Sequence, residues 1–266
     1  MADTDILIDM AEGQTYEQGL VSIVTPVYKA ERFIEQTILS VQAQTYQQWE
    51  LLLVDDCSPD QSSAIIGRLA KDDQRIRHVQ LTQNSGAAVA RNEGISLARG
   101  EFLAFLDADD YWMPYKLERQ LDFMARQEAD FVFASIQPVD ENGQVLKAPT
   151  FVPAKADYHY LLSHTVIATS TVLLRRSAVG TFRMPLRRGG QDYATWLMLL
   201  RKVKYAYGQQ ECMTNYRVTS GSLSSNKLSS VKQVYSIQTQ QEGIGPLQAL
   251  CNTLGFCLYA FKKHYL

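Results

Sequence analysis

The sequence predicts an α/β fold: a doubly wound, mostly parallel sheet with helices on both faces, followed by a C-terminal helical segment. Three observations carry that prediction. The apolar runs Val21–Val27, Trp49–Val54 and Phe102–Leu106 are of strand length and nearly uninterrupted, as strands buried on both faces are. Segments with apolar residues at helical spacing separate them, the pattern of βαβ units. Two of the runs end in acids, Asp55-Asp56 and Asp107-Ala108-Asp109-Asp110, and ligands of open α/β sheets bind beyond the carboxyl ends of the strands.

Taken in order, the first strand carries Pro26 near its end, where a missing amide donor does least harm. Glu31 to Gln44 reads as a helix through Ile34, Ile38 and Val41, and Trp49–Val54 as the second strand. A helix from about Gln61 to Lys71 and a short strand around Arg75 to Leu81 follow. Asn84-Ser85-Gly86 is a turn, and the helix from Gly86 to Ala98 is stopped by Gly100 before the strand that ends at Asp107. After Pro114 the pattern loosens. Leu117, Leu121 and Met124 mark a helix, Phe131–Ser135 a strand, and Asp140–Gly143 a hairpin turn. Thr169–Leu174 is β-like, Asp192 opens a helix to about Lys202, and two short strands lie near Lys204–Tyr207 and Cys212–Val218. The polar loop Thr219–Ser225 comes next. Between Leu247 and Phe261, Leu250, Leu254 and Leu258 recur every three or four residues, with Lys262, Lys263 and His264 behind them. That segment reads either as an interfacial helix or as a final helix folded back on the domain; it is too interrupted to span a membrane.

Composition narrows the function. A formal net charge of -2 gives no general attraction to nucleic acid, whose binders carry a basic footprint. The cysteines Cys57, Cys212, Cys251 and Cys257 form no C-x-x-C pair, which fits a reduced cytosolic setting. Residues 1–19 hold Asp3, Asp5, Asp9, Glu12 and Glu17 without a basic start, the character of a mobile acidic lead-in rather than a signal peptide.

The acid cluster at the end of the third long run is the chemical centre of the sequence. On extended backbone Asp107 and Asp109 would share one side and Ala108 and Asp110 the other. Two converging anions repel unless one is protonated or a cation lies between them, and magnesium or manganese suits carboxylate and phosphate oxygens. The cluster therefore reads as a metal-diphosphate site; helix capping by Asp109 ahead of Pro114 is compatible with it.

Four stretches together resemble the family 2 inverting glycosyltransferases of the GT-A fold: Ile23-Val-Thr-Pro-Val-Tyr28, Val54-Asp-Asp-Cys-Ser58, Asn84 to Asn92 leading to Gly100 through Asp110, and Gly190-Gln-Asp-Tyr-Ala-Thr-Trp196. Their order and spacing fit from about Val21 to Ser225. The resemblance implies that Pro26, Val27 and Tyr28 border the nucleotide and that Asp56 bonds the edge of the base, typically uracil. Asn84, Gly86 and Arg91 would lie along the donor pocket, Arg91 having the plain alternative of tying neighbouring loops together. Asp107 and Ala108 would approach the ribose or sugar, and Asp109 would bind the Mn2+ or Mg2+ that bridges the diphosphate.

Asp192 is the general base that the resemblance implies; the alternative is an N-cap. Gln191 and Trp112 would meet the acceptor, though a lone Trp also suits packing. Arg217, with Ser222 and Ser224, would close over the diphosphate unless that loop is only a connection. Three positions depart from the family pattern: Lys29 where Asn is common, Cys57 where Gly is common, and Gln191 where Glu is common. The implied protein is an enzyme moving a hexose-type sugar from a UDP-sugar to a glycan or lipid-linked glycan in bacterial surface polysaccharide synthesis. It would be cytoplasmic, and peripheral on the inner face of the inner membrane if the last segment is interfacial. Residues 1–19 would be the extension, 20–225 the glycosyltransferase domain and 226–266 the helical segment. A nucleotidyltransferase and a noncatalytic nucleotide-sugar or glycan-binding module are the competing readings. A nicotinamide dehydrogenase is excluded, because no G-x-G-x-x-G turn follows the first strand.

Overall fold

The structure, a computed structural model, describes residues 15–219 and 227–265. Strands β1 (Glu17–Val27), β2 (Trp49–Asp55), β3 (Ile76–Gln80) and β4 (Gly100–Phe105) alternate with helices α1 (Ile34–Gln42), α2 (Ser62–Asp72) and α3 (Ala87–Leu97). Then come β5 (Tyr111–Trp112), α4 (Lys116–Arg126), β6 (Phe131–Val139), β7 (Lys155–Ala156) and α5 (Tyr158–Ser163). A 3-10 turn at Thr169–Thr171 precedes β8 (Leu173–Arg175), α6 (Arg176–Val179), α7 (Gln191–Leu200) and β9 (Ala206–Arg217). Helix α8 (Lys227–Ser236), a π turn at Ile237–Gln241 and α9 (Pro246–Tyr265) complete the described chain.

All the strands share one sheet in the order β3-β2-β1-β4-β8-β6-β9-β5, with β7 also pairing β9. The first four are mutually parallel, as are β6 and β9; the short strands β5, β7 and β8 pair antiparallel. Successive side chains along the long strands serve two cores. Val24, Leu52, Leu103 and Phe105 face the layer of α3, α5, α7 and α8. Their neighbours Ile23, Leu51, Leu53, Phe102 and Ala104 face α1, α2 and α4. This is why the strands read as unbroken apolar runs.

Strand order fixes where a ligand can bind. From β1 the chain moves outward to β2 and β3, then returns to the other side of β1 as β4. The carboxyl ends of β1 and β4 therefore flank the point where the winding reverses, and the crevice of a doubly wound sheet opens there.

Several boundaries differ from the sequence reading, each for a local reason. Strand β1 begins at Glu17, inside the expected lead-in, because Glu17 N donates to Arg99 O and pairing with β4 starts at Gly100. The expected strand pair from Lys204 to Val218 is one strand, β9, whose register against β6 shifts around Ser135. Thr169–Leu174 is mostly not strand. Thr171 N and Thr171 Oγ1 both donate to Ala168 O, which closes a turn ahead of β8. The Asp140–Gly143 hairpin turn forms, with Val139 bridging Val145. In the described residues from 227 onward, Val234 and Ile237 are buried in the α7 core, with Phe256 and Tyr259 packed against it.

Two of the three departures from the family pattern fall where the backbone is left-handed. Lys29 has φ of 52° and Cys57 φ of 59°. Gly and Asn enter that region most readily, and other L-residues do so at a cost of about 1 kcal/mol. Cys57→Gly is therefore expected to stabilise the exposed turn by roughly 0.5 kcal/mol, the relief of strain exceeding the entropy that Gly adds to the unfolded chain. Chemical denaturation of the two proteins checks it; a loss of stability would mean that the Cys57 side chain contributes more than its backbone costs.

Candidate active site

A cleft of about 910 Å3 opens at the carboxyl ends of β1 and β4. Pro26, Val27 and Tyr28 line it from β1, Asp56 from β2, Asn84, Gly86 and Arg91 from the start of α3, and Asp107, Ala108 and Asp109 from the turn after β4. Gln191 and Asp192 line it from α7 and Arg217 from the end of β9. Glycine shapes the α3 wall. Gly86 adopts φ of 93° at the N-cap, and a Cβ on Gly94 would lie 2.4 Å from a Val24 methyl, so only glycine lets α3 lie this close to β1.

The turn of Asn84 to Gly86 is held by Asp56. Its two carboxylate oxygens accept from Ser85 N and Gly86 N, each at 2.7 Å, and Asn84 Nδ2 donates to the Asp56 carbonyl at 3.1 Å. Asp56 is buried with both oxygens engaged, so any contact to a base edge would use their remaining lone pairs.

Strand β4 ends at Phe105, before the acids, and Asp110 N donates to Asp107 O to close a turn. Asp107, Ala108 and Asp109 all reach the cleft, whereas Asp110 faces the protein interior. The separation of Asp107 and Asp109 from Asp110 matches the strand argument, but a turn produces it. Asp110 Oδ2 accepts from Ser170 Oγ at 2.6 Å and Oδ1 from Arg217 N at 2.9 Å. Ser170 Oγ in turn accepts from Asp107 N at 3.1 Å. One buried carboxylate thus joins the β4 exit, the 3-10 turn and the end of β9.

Burial pushes the Asp110 carboxyl well above the usual range, and its neighbours Asp109 and Asp107 add to the rise. Asp109 is raised to about 6, by burial first and then by the Asp107 charge, with Arg217 and Arg91 opposing. Arg91 of α3 pairs with Asp107 Oδ1 at 2.5 Å, so it both lines the cleft and ties α3 to the acid turn. Arg217 is buried at 3% exposure. Its Nη1 donates to Asp109 O at 3.1 Å and its Nη2 to Gln36 Oε1 at 2.6 Å, while the guanidinium lies 4.4 Å from the Phe33 ring centre. It belongs to the fixed wall; Ser222 and Ser224, expected to close with it, lie outside the described residues.

The donor set for a cation is all oxygen. Among the described residues no three metal-binding side chains cluster, so an ion on Asp109 would draw its other ligands from phosphate and water, as magnesium habitually does. Asp109 is raised by burial first and then by the Asp107 charge, which a cation would offset, and the all-oxygen set in the cleft fits Mg2+ or Mn2+.

Asp192 is not the N-cap of α7. Gly190 is, in a left-handed conformation at φ of 70°, which puts Asp192 one residue inside the helix with Oδ2 accepting from Thr169 Oγ1 at 3.3 Å. Gln191 is buried beside it, and its Oε1 has no partner. Trp196, one turn further on, packs edge-on to Phe105 at 5.8 Å and Phe131 at 5.5 Å, which fixes α7 over the end of β4.

Trp112 corrects the sequence reading. It is 2% exposed and absent from the cleft wall; its Nε1 donates to Ser170 O at 2.7 Å and Lys116 Nζ sits 3.6 Å from its ring centre. No ring face is left for a sugar. The residues that sequence reasoning missed are Ser170, Thr169, Gln36 and Phe33, which carry no acid or motif, and Asp110, whose structural part was hidden among its neighbours. Arg32 and Glu141, also on the cleft wall, form an ion pair at 2.8 Å that links the loop after β1 to the hairpin after β6.

The "Glycosyl transferase family 2" model matches residues 22–183. A putative teichuronic acid biosynthesis glycosyltransferase, TuaG of Bacillus subtilis, is 39% identical over 92% of this chain and 97% of its own length. The Escherichia coli UDP-Glc:alpha-D-GlcNAc-diphosphoundecaprenol beta-1,3-glucosyltransferase WfgD is 35% identical over 92% of this chain and 95% of its own. Among solved structures, S. aureus TarS 1-349 in complex with UDP-GlcNAc superposes with a TM-score of 0.68 at 17% identity, covering 91% of this chain and 72% of that one. The mannosyltransferase PcManGT of Pyrobaculum calidifontis, in complex with GDP-Man and Mn2+, gives 0.68 at 18% identity over 90% and 72%. These likenesses agree with the sheet order and with a cleft at its reversal point, and the chain belongs to glycosyl transferase family 2, with the GT-A fold.

Proposed function

We propose that this glycosyltransferase moves one hexose-type sugar, with inversion, from a UDP-sugar to a lipid-linked glycan in the assembly of a bacterial surface polysaccharide. The observation that carries the proposal is the presence in one cleft of an acid turn at the β4 exit and a separate carboxylate, Asp192, on α7. Family membership removes the nucleotidyltransferase and the noncatalytic module from contention. The UDP-glucose and diphosphoundecaprenol in the name of WfgD support the donor and acceptor classes.

In this reading Pro26, Val27, Tyr28 and Asp56 hold the nucleotide, with Asn84 and Gly86 shaping its floor. Arg91 and Asp107 bracket the sugar. Asp109 is the protein ligand of Mg2+ or Mn2+, which when bound would neutralise charge developing on the leaving diphosphate. Asp192 accepts the proton of the attacking acceptor hydroxyl as that oxygen bonds the anomeric carbon; the bond from that carbon to the diphosphate oxygen breaks, and UDP leaves with the electron pair. Thr169 Oγ1 hydrogen-bonds the Asp192 carboxylate, and Gln191, on the wall of the same cleft, is the proposed contact of an acceptor hydroxyl. Gln in place of Glu keeps that contact without a second negative charge beside the base.

Asp192→Asn is expected to lower transfer by roughly 10²–10⁴-fold while leaving UDP affinity within about twofold. Radiolabelled transfer and calorimetry on the same preparations test it, and undiminished transfer would remove Asp192 as the base.

The raised Asp109 carboxyl gives a pH signature. Its folded pKa of about 6 lies above the ordinary 3.8, so the folded state keeps this proton to higher pH. Its contribution to the stability of the metal-free protein therefore falls as pH rises between those values, and the cost is complete above about 6. A cation relieves that cost but must displace the proton. The Mn2+-dependent part of UDP affinity should accordingly weaken when calorimetry moves from about pH 7.5 to about pH 5.5, proton uptake by the terminal phosphate of UDP adding to the effect. A metal-dependent part that is flat across that window would dissociate Asp109 from the cation.

A further inference from the structure

Helix α9 has two faces of opposite character. Ala249 and Thr253 are buried and Phe256 and Tyr259 pack against the core of α5 and α7, which docks one side of the helix. The opposite side carries the stripe read from the sequence, and its leucines are exposed: Leu247 is 80% exposed and Leu258 71%, with Leu250 and Leu254 half exposed between them. At about 100° per residue these four side chains fall within roughly 80° of arc. The helix folded back on the domain, one of the two alternatives left open by the sequence, is thus present, and its docking uses other residues than the apolar stripe.

A row of leucines facing water over some three turns needs a partner. Charge indicates which. Helix α9 contains no acidic residue, and Lys262 and Lys263 follow the stripe. From residue 227 onward four lysines face the single acid Glu242, in a chain whose net charge is -2. A helix built for a second copy of itself would flank its seam with residues of both signs. Here the flanks are Gln248, Cys251, Gly255 and Cys257. Among the described residues no helix is long and apolar enough to cross a membrane, and the amphipathic, acid-free pattern is that of a helix lying in a lipid interface.

The same element also builds the reaction cleft. Phe256 lines it from the inner face of α9, packed against the core that holds Val234 and Ile237, and Gln191 and Asp192 line the same cleft. We infer that the outer face of α9 is a lipid-binding surface that seats the enzyme on an anionic bilayer, with the acceptor side of the cleft held at the headgroup level. A lipid-linked acceptor could then enter with its chain still in the membrane. This last step rests on the acceptor class proposed above; the lipid-binding surface itself does not.

Flotation of the full chain with vesicles of phosphatidylcholine alone, or with added phosphatidylglycerol, tests the surface in the absence of any substrate. The wild type is expected to float with the anionic vesicles. Leu250→Gln, Leu254→Gln and Leu258→Gln combined are expected to reduce the bound fraction at least roughly tenfold while leaving the melting temperature and UDP affinity unchanged. Lys262→Ala with Lys263→Ala should weaken binding about fivefold per lysine on anionic vesicles and have little effect on neutral ones. Undiminished flotation of the triple variant, or no flotation of the wild type, would overturn the inference. So would a dimer in sedimentation that the triple variant dissociates without any lipid binding by the wild type, since the partner would then be a second copy. UDP binding is measured separately, so a failed surface leaves the donor site standing.

Discussion

Asp110 is the interaction on which the rest of the site depends. Its carboxyl group has almost no exposure, and burying it without hydrogen-bond partners would be costly. Ser170 Oγ and Arg217 N supply its hydrogen bonds, so the turn after β4, the 3-10 turn and the end of β9 must meet at that point. With Asp110 committed inward, Asp107 and Asp109 turn outward into the cleft. Burial of Asp109, and then the Asp107 charge, raise its carboxyl at the place where the winding of the sheet reverses, which is the ground for the proposed cation.

The second half of the chemistry depends on packing rather than charge. Trp196 wedges between Phe105 at the end of β4 and Phe131 on β6, and it carries α7 with it. Gly190 supplies the left-handed residue that starts the helix, which frees Asp192 from capping. The proposed base is therefore placed by the same strand whose exit carries the proposed metal ligand. A change in the seat of Trp196 would be felt as a change in the distance between the two.

Much of this was legible in the sequence because the long strands are buried on both faces and end in acids. β1, β2 and β4 read directly as apolar runs, and the motif residues from Pro26 to Asp109 converge on one cleft as the resemblance implied. What could not be read was the supporting shell. Ser170, Thr169 and Gln36 are ordinary polar residues whose importance lies in what they touch. Trp112 looked like a sugar platform because it follows the acids, yet its indole N–H is used by Ser170 O and its ring covers Lys116. The β-rich composition of Thr169–Leu174 hid a turn, because the tertiary need to bring Ser170 beneath Asp110 outweighs the local preference of branched residues for strand. The stripe on α9 was visible as periodicity, but periodicity does not say which face docks.

The acid turn as a cation-assisted diphosphate site is the central proposal. Thermal melting of the wild type and Asp109→Asn with UDP, in the presence and absence of Mn2+, measures this without knowledge of the sugar or the acceptor. The expected result is an added stabilisation of the wild type by Mn2+ together with UDP, and loss of that metal-dependent increment in the variant while the stabilisation by UDP alone remains. An equal metal-dependent increment in both proteins would contradict the account.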